Sequence, residues 1–186
     1  MRHISLALIN KLDKRERIMA QKFDVCVLGA TGLVGKTIIE ILEQPLASAR
    51  SAGEFIEFNG ESIEVLDADN FDWSLAQIGF FSAGGATSAK YAPIAGEAGC
   101  IVIDNTSEFR YDADIPLVVP EVNPQALAEY RNRNIIANPN CSTIQMLVAL
   151  KPIYDAVGIS RINVATYQAV SGSGKEAITE LTSQTA

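Results

Sequence analysis

The sequence predicts an α/β fold built on a parallel sheet, and three observations carry that prediction. Short apolar runs alternate with helical stretches from residue 23 onward. Glycines cluster between the first apolar run and the first helical stretch. The chain has 186 residues, 48% of them hydrophobic, which is enough to bury a core and suits one full domain with part of another.

The first strand is expected at residues 23–28. A helix should follow over 33–43, where Leu33, Val34, Thr37, Ile38, Ile41 and Leu42 fall at helical spacing and Pro45 closes it. Only six residues separate Glu43 from Arg50, so a second sheet strand is expected to be cramped or missing. Residues 55–65, with Asn59-Gly60 at their centre, read as a two-residue hairpin. Further strands are expected at 78–82, 100–104, 117–119 and 134–137, with helices at 86–98 and 124–131 between them. A helix then follows Cys141, a strand covers 161–169, and a Gly/Ser loop leads into a last helix.

Gly29, Gly32 and Gly35 are spaced G-x-x-G-x-x-G between an apolar strand and an amphipathic helix. Glycines there permit a tight turn and let a pyrophosphate reach helix-start amides, where the macrodipole favours an anion. The alternative is an ordinary tight strand-to-helix turn. The position favours a Rossmann-like dinucleotide-binding domain. About twenty residues on, the choice between cofactors is usually made, an acid holding ribose hydroxyls and an arginine meeting a 2′-phosphate. Here Arg50 stands among Ser48 and Ser51 with no acid before Glu54, which favours NADP; otherwise Arg50 is a solvated loop residue.

A net charge of -7 disfavours a surface that tracks phosphates, so nucleic acid is not an expected partner. No apolar run reaches bilayer length, and the apolar patch at 4–9 runs into Lys11, Asp13, Lys14, Arg15, Glu16 and Arg17, unlike a secretory signal. Residues 1–18 read as an unstructured extension or a start codon assigned too far upstream, Met19 being the alternative start.

The three cysteines form no paired framework, which fits a reducing cytoplasm and gives no metal-ligand spacing. Cys26 and Cys100 lie in apolar runs and read as buried strand residues. Cys141 differs. In Asn138-Pro139-Asn140-Cys141-Ser142-Thr143 it stands in polar company ahead of Ile144, Leu147, Val148 and Leu150, at or near a helix start following a strand. Amides at a helix start stabilise an anionic sulfur, and thiolates attack carbonyls. The bland alternative is a small residue capping a helix. A thiol mechanism also needs a proton shuttle, and the sole histidine is His3, in the extension. A self-contained Cys-His protease is therefore implausible.

Several segments together resemble aspartate-semialdehyde dehydrogenases of the bacterial type, over about residues 19–186. The most specific are Gly29-Ala30-Thr31-Gly32-Leu33-Val34-Gly35, Ser82-Ala83-Gly84-Gly85, Asp104-Asn105-Thr106-Ser107-Glu108-Phe109-Arg110, Val119-Pro120-Glu121-Val122-Asn123-Pro124 and 138–143. The N-acetyl-glutamyl-phosphate reductases share the logic but differ around the cysteine. The resemblance implies an NADP-binding domain over 19–140 with a shortened second strand, then the truncated start of an α+β catalytic and dimerisation domain over 141–186.

It also implies a reaction of amino-acid biosynthesis, toward lysine, diaminopimelate, threonine and methionine, in which NADPH reduces aspartyl 4-phosphate to aspartate semialdehyde and phosphate. By that resemblance Cys141 is the nucleophile and passes through a thioester, Gln168 positions the acyl group, and Arg110 and Asn140 hold the departing phosphate. Arg110 alternatively forms a surface ion pair with Glu108, Asp112 or Asp114, and Gln168 is alternatively a satisfied strand-end amide. Gly29, Thr31, Gly32, Leu33, Val34 and Gly35 would carry the dinucleotide, Ser82 and Gly84 would flank it, and Ser171 and Gly172 would approach its nicotinamide end. Ser171 to Gly174 alternatively cap the last helix.

Family members are much longer and supply the histidine acid/base and most of a homo-oligomer interface from residues beyond this length. The 186-residue chain alone is therefore expected to be inactive. A non-catalytic nucleotide-binding or subunit-interacting remnant is the competing expectation.

Overall fold

The computed structural model describes residues 23–39, 45–47, 53–58 and 61–185. The first strand, β1, is Val25–Leu28, and the helix after it, α1, is described over Leu33–Ile39. β2 is Pro45–Ala47, the antiparallel pair β3 and β4 is Phe55–Phe58 and Glu61–Glu64, and β5 is Leu66–Asp67. β6 is Ile78–Phe81, helix α2 is Gly85–Glu97, and β7 and β8 are Ile101–Asp104 and Ile135–Ala137. Helices α3, Cys141–Val157, and α4, Lys175–Thr185, complete the described elements.

Six strands form one sheet in the order β5-β2-β1-β6-β7-β8, and every pair in it is parallel. With the β3–β4 hairpin set aside, this is the doubly wound order in which the direction of winding reverses beside the first strand. Ligands of such sheets bind outside the carboxyl ends of the strands at that reversal, here between β1 and β6.

The expected alternation holds, with shifts of one or two residues at several element ends. Three expectations are corrected, and one short strand is added. The second strand is cramped, as expected, at three residues: Leu28 pairs with Leu46 and Val27 with Pro45. Pro45 opens this strand, a place where its missing N–H is tolerated, and the expected end of the helix lies outside the described residues. β5, which pairs with β2, was not expected, because two residues directly after a hairpin show no pattern. Residues 117–119 make only a bridge from Leu117 to Ala137 instead of a strand. Two prolines explain this: the bridge uses the Val118 N–H and the Pro116 carbonyl, and extending the ladder either way would need an N–H from Pro116 or Pro139, which have none. Asn123 takes the Val119 N–H at 2.8 Å and the Leu117 carbonyl at 3.0 Å on the edge facing away from β8.

Residues Pro124–Asn132 form a 3₁₀ helix and not an α-helix; none of its residues is buried, so no apolar face rewards regular α-helical packing. Residues 161–169 form no strand: all are exposed, and no partner strand lies beside them among the described residues. The Gly/Ser stretch after them coils into a 3₁₀ turn at Val170–Ser173. The hairpin is as expected, Phe58 pairing with Glu61 across two residues, although Asn59 and Gly60 lie outside the described residues.

Side chains alternate across the sheet with period two. Cys26, Leu28 and Phe81 face a large core with Tyr91, Ala92 and Ala95 of α2, Val102, Ile135 and Trp73. Val27 and Phe80 face the other way, against Ala30 and Ile38 of the first helix. Helices on both faces are why the strands read as continuous apolar runs. Trp73 closes one end of the larger core, its ring 5.4 Å from Phe81 and 6.1 Å from Tyr91. Cys26 and Cys100 are buried in this core, and a Cβ on Gly79 between them would stand 3.2 Å from each sulfur. A hydrogen bond to Cys100, together with burial, pushes the Cys26 thiol far above its ordinary range, so it stays protonated.

A Cβ at Gly35 would overlap the Gly29 carbonyl, whereas one at Gly32 would stand 3.3 Å from the same oxygen. Gly35→Ala is therefore expected to lower the unfolding free energy by about 2 kcal/mol or more, and Gly32→Ala by clearly less. Urea denaturation of the two variants beside the parent chain checks the order.

Candidate functional site

The carboxyl ends of β1, β6, β7 and β8 lie side by side, and along that edge stand the residues of the glycine turn, Ser82, Gly84, Arg110, Asn140 and Cys141. After β1 the chain turns at Gly29, whose φ of 95° is one that L side chains rarely adopt. A Cβ there would stand 2.7 Å from the Ser82 carbonyl oxygen, so glycine is what lets the ends of β1 and β6 touch. Ser82 N then donates to the Leu28 carbonyl at 2.9 Å.

The three glycines divide their work. Gly29 and Gly35 are used by chain packing, while Gly32 is exposed at the start of α1, beside Leu33 and Val34, which are 61% and 47% exposed. The open glycine and bare apolar side chains leave room for an extended ligand to lie across the helix start. Thr31 is half-buried in the same turn. Gly84 stands just before α2, on the same edge as Ser82. Ser48, Arg50 and Ser51 lie outside the described residues.

At the end of β7 a buried carboxylate organises the next turn. Asp104 is fully buried, and Ser88 of α2 donates to its Oδ1 at 2.7 Å. Thr106 donates twice, from its amide to Oδ1 at 3.3 Å and from its hydroxyl to Oδ2 at 2.7 Å. The Thr106 hydroxyl in turn accepts from Glu108 N at 3.2 Å. This chain of bonds shapes the segment that carries Arg110.

Arg110 turns back over the strand ends. Its Nε donates to the Asn138 carbonyl at 3.0 Å and its Nη2 to the Asn105 carbonyl at 3.3 Å. No ion pair engages it among the described residues: Asp112 and Asp114 lie 3.0 and 3.7 Å from Arg133 instead. Asn138 is tied a second time, its Nδ2 donating to Asn105 Oδ1 at 2.7 Å and its amide to the Asp104 carbonyl at 2.8 Å.

Cys141 is the first residue of α3 and is exposed, unlike the other two cysteines. Asn140 caps the helix, its Oδ1 accepting from Ser142 N at 3.0 Å. With the oxygen so engaged, the Nδ2 of the same amide is the group left to donate to an anion beside the sulfur. Gln168, Ser171 and Gly172 are exposed, and the Gln168 amide folds over Gly172, where a Cβ would overlap its nitrogen. Among the described residues no hydrogen bond joins this segment to Cys141, Asn140 or Arg110.

The edge thus brings together the glycine turn, Ser82, Gly84, Arg110, Asn140 and Cys141, and no hydrogen bond among the described residues ties Gln168, Ser171 or Gly172 to the last three. The sequence reading did not single out Asp104, Asn105, Thr106 and Asn138 one by one. An acid closing an apolar strand at Asp104, and Asn138 directly ahead of Pro139, were the signals available.

These features define a class: a doubly wound α/β domain with a glycine-rich turn after its first strand and a helix-start thiol on the same edge. Residues 24–130 match the family "Semialdehyde dehydrogenase, NAD binding domain", and residues 150–186 match "Semialdehyde dehydrogenase, dimerisation domain". The chain belongs to the semialdehyde dehydrogenase family. It is 72% identical over 175 residues to an aspartate-semialdehyde dehydrogenase of Shewanella violacea, covering 89% of this chain and 52% of that protein.

Aspartate-semialdehyde dehydrogenase 2 of Vibrio cholerae is 64% identical over 177 residues, covering 90% of this chain and 52% of that one. A crystal structure of aspartate semialdehyde dehydrogenase II from Vibrio cholerae, complexed with ASA, superposes with a TM-score of 0.84 at 64% identity, covering 89% of this chain and 52% of that one. One from Candida albicans with NADP gives 0.61 at 28% identity, covering 74% and 48%. The chain spans about half the length of the curated relatives it matches.

Two predictions follow from the geometry. Asp104→Ala removes three hydrogen bonds and strands the buried Ser88 and Thr106 hydroxyls, which should lower stability by about 2–4 kcal/mol. Asp104→Asn, which keeps an acceptor oxygen, should lose less by chemical denaturation. In the native chain, iodoacetamide should modify Cys141 alone, with Cys26 and Cys100 alkylated only after unfolding, as read by peptide mass spectrometry.

Proposed function

We propose that this chain provides the NADP-binding domain and the nucleophile of an aspartate-semialdehyde dehydrogenase, a cytoplasmic enzyme of amino-acid biosynthesis acting as a homo-oligomer. The observation that carries the reading is the exposed Cys141 thiol at a capped helix start, on the sheet edge that also holds the glycine turn. The residues present fit a dinucleotide. Gly29, Gly32 and Gly35 shape its turn with Thr31, Leu33 and Val34 around them, and Ser82 and Gly84 flank it. Ser171 and Gly172 serve its nicotinamide end, and Arg50 with Ser48 and Ser51 meets a 2′-phosphate.

In the proposed reaction the Cys141 sulfur attacks the acyl carbon of aspartyl 4-phosphate. A C–S bond forms, the bond from that carbon to the phosphate oxygen breaks, and phosphate leaves toward Arg110 and the Asn140 amide. The reduced dinucleotide, when bound, supplies hydride to the resulting thioester. The hemithioacetal then collapses to the aldehyde and restores the thiol. Gln168 holds the acyl group during these steps. The proton transfers need an acid/base, and the sequence has one histidine, His3, which lies outside the described residues. The 186-residue chain alone is accordingly proposed to be inactive.

The test is a chimera joining the remaining half of the Shewanella violacea relative to Ala186. It should reduce NADP in the presence of aspartate semialdehyde and phosphate, whereas the chain alone should not. Cys141→Ser in that chimera should lower kcat at least about a thousandfold; a smaller loss would remove the thiol from the mechanism. Fluorescence titration of the same protein with NADP and NAD should show tighter binding of NADP, and equal binding would overturn that assignment.

A further inference from the structure

Building on the proposed role of Cys141 as nucleophile, we infer that Arg110 and the Asn105–Asn138 amide pair are positioning residues that clamp the turn carrying Cys141, leaving only one end of the arginine fork for an incoming anion. Three observations support this. The Nε–Nη2 edge of Arg110 is already occupied, by the carbonyls of Asn138 and Asn105 at 3.0 and 3.3 Å. Those carbonyls belong to the residues that follow β8 and β7, so one planar group ties the ends of two adjacent strands. The side chains of the same two asparagines close a second link at 2.7 Å.

Asn138 stands three residues before Cys141. The only residues between them are Pro139, whose φ is fixed and which is buried, and Asn140, which caps the helix. The tether from Arg110 to the sulfur is therefore short and stiff. A guanidinium has five N–H donors, and an edge-on pair of carbonyls leaves the Nη1–Nη2 end with the remaining three. Arg110 thus has a structural edge and a ligand-facing end. Lysine, a single ammonium on a flexible stem, cannot serve two carbonyls and an anion at once.

The clamp acts on the frame around the sulfur and not on its charge, and this makes it separable from phosphate binding. Alkylation of Cys141 in the native chain is followed with neutral iodoacetamide and with anionic iodoacetate. A residue that only attracts anions alters the second rate and spares the first. Asn105→Ala and Asn138→Ala carry no change of charge, and each should slow both reagents by the same factor of about five, the equivalent of one lost hydrogen bond. The double variant should be no slower than either single one, since the two side chains act as one link. Arg110→Lys should slow iodoacetamide as well, by about fivefold.

Native-like circular dichroism and continued protection of Cys26 and Cys100 show that each variant keeps the fold. If an alanine variant loses it, Asn105→Ser and Asn138→Ser are used instead and carry the same expectation. Iodoacetamide rates within twofold of the parent in these folded variants would overturn the clamp. So would an additive double variant, or an Arg110→Lys effect confined to iodoacetate. Alkylation needs neither dinucleotide nor acyl phosphate, so failure here is distinct from failure of the proposed reaction.

Discussion

The buried carboxylate of Asp104 is the constraint on which the candidate site rests. A charged group at the end of an apolar strand costs several kcal/mol unless its lone pairs are filled. Here Ser88 and Thr106 fill them with three hydrogen bonds, and none of the described buried side-chain polar atoms lacks a partner. Filling them has a geometric result. Ser88 fixes α2 against the end of β7, and Thr106 fixes the turn that leads to Arg110. The desolvation cost of one carboxylate is offset only in a single arrangement of the chain around it, so the group specifies geometry as well as stability.

From that point order spreads along the edge of the sheet. Glycine at position 29 lets the ends of β1 and β6 touch, because any Cβ there would collide with Ser82. Asn105 N donates to the Phe81 carbonyl and Asn138 N to the Asp104 carbonyl, each at 2.8 Å, so the ends of β6, β7 and β8 are joined pairwise by backbone just past the ladders. Side chains from Asn105, Asn138 and Arg110 add a second layer. The proposed dinucleotide turn and the proposed nucleophile thus belong to one hydrogen-bonded rim, although they come from parts of the chain more than a hundred residues apart.

The sheet was legible because strands buried on both faces read as apolar runs, and α1, α2 and α3 were legible from their periodicity and their starts. What stayed hidden was decided by contacts with no local signature. β5 is two residues long and exists because β2 lies beside it. Residues 117–119 have strand composition, but Pro116 and Pro139 lack the N–H groups that would extend their pairing with β8. Residues 161–169 have strand composition too, yet an apolar run becomes a strand only when another strand is there to pair with it. At the candidate site, Cys141 and the glycine turn were legible because their chemistry is local. The asparagines that hold Arg110 were legible only as parts of motifs, since their pairing spans 33 residues of sequence.

The two halves of the candidate site differ in how they are held, and the difference follows from where apolar surface is buried. Among the described residues, every fully buried large side chain lies before residue 138, in the region bounded by the sheet. Past Cys141 the balance reverses. Val157 is 80% exposed and Tyr167 fully so, and Leu147, Leu150, Tyr154, Ile159 and Ile162 line an apolar cavity of about 470 Å³ with Val122. A side chain is fixed by the packing around it. Cys141 belongs by sequence to this less packed part, but its anchors, Arg110, Asn105 and Asn138, all stand on the sheet side. Among the described residues no hydrogen bond ties Gln168 to these anchors, and its amide lies over the exposed Gly172. In the proposed reaction the sulfur is therefore set by the NAD-binding domain, whereas placing the acyl group depends on whatever covers the apolar surface of the segment that matches the dimerisation domain.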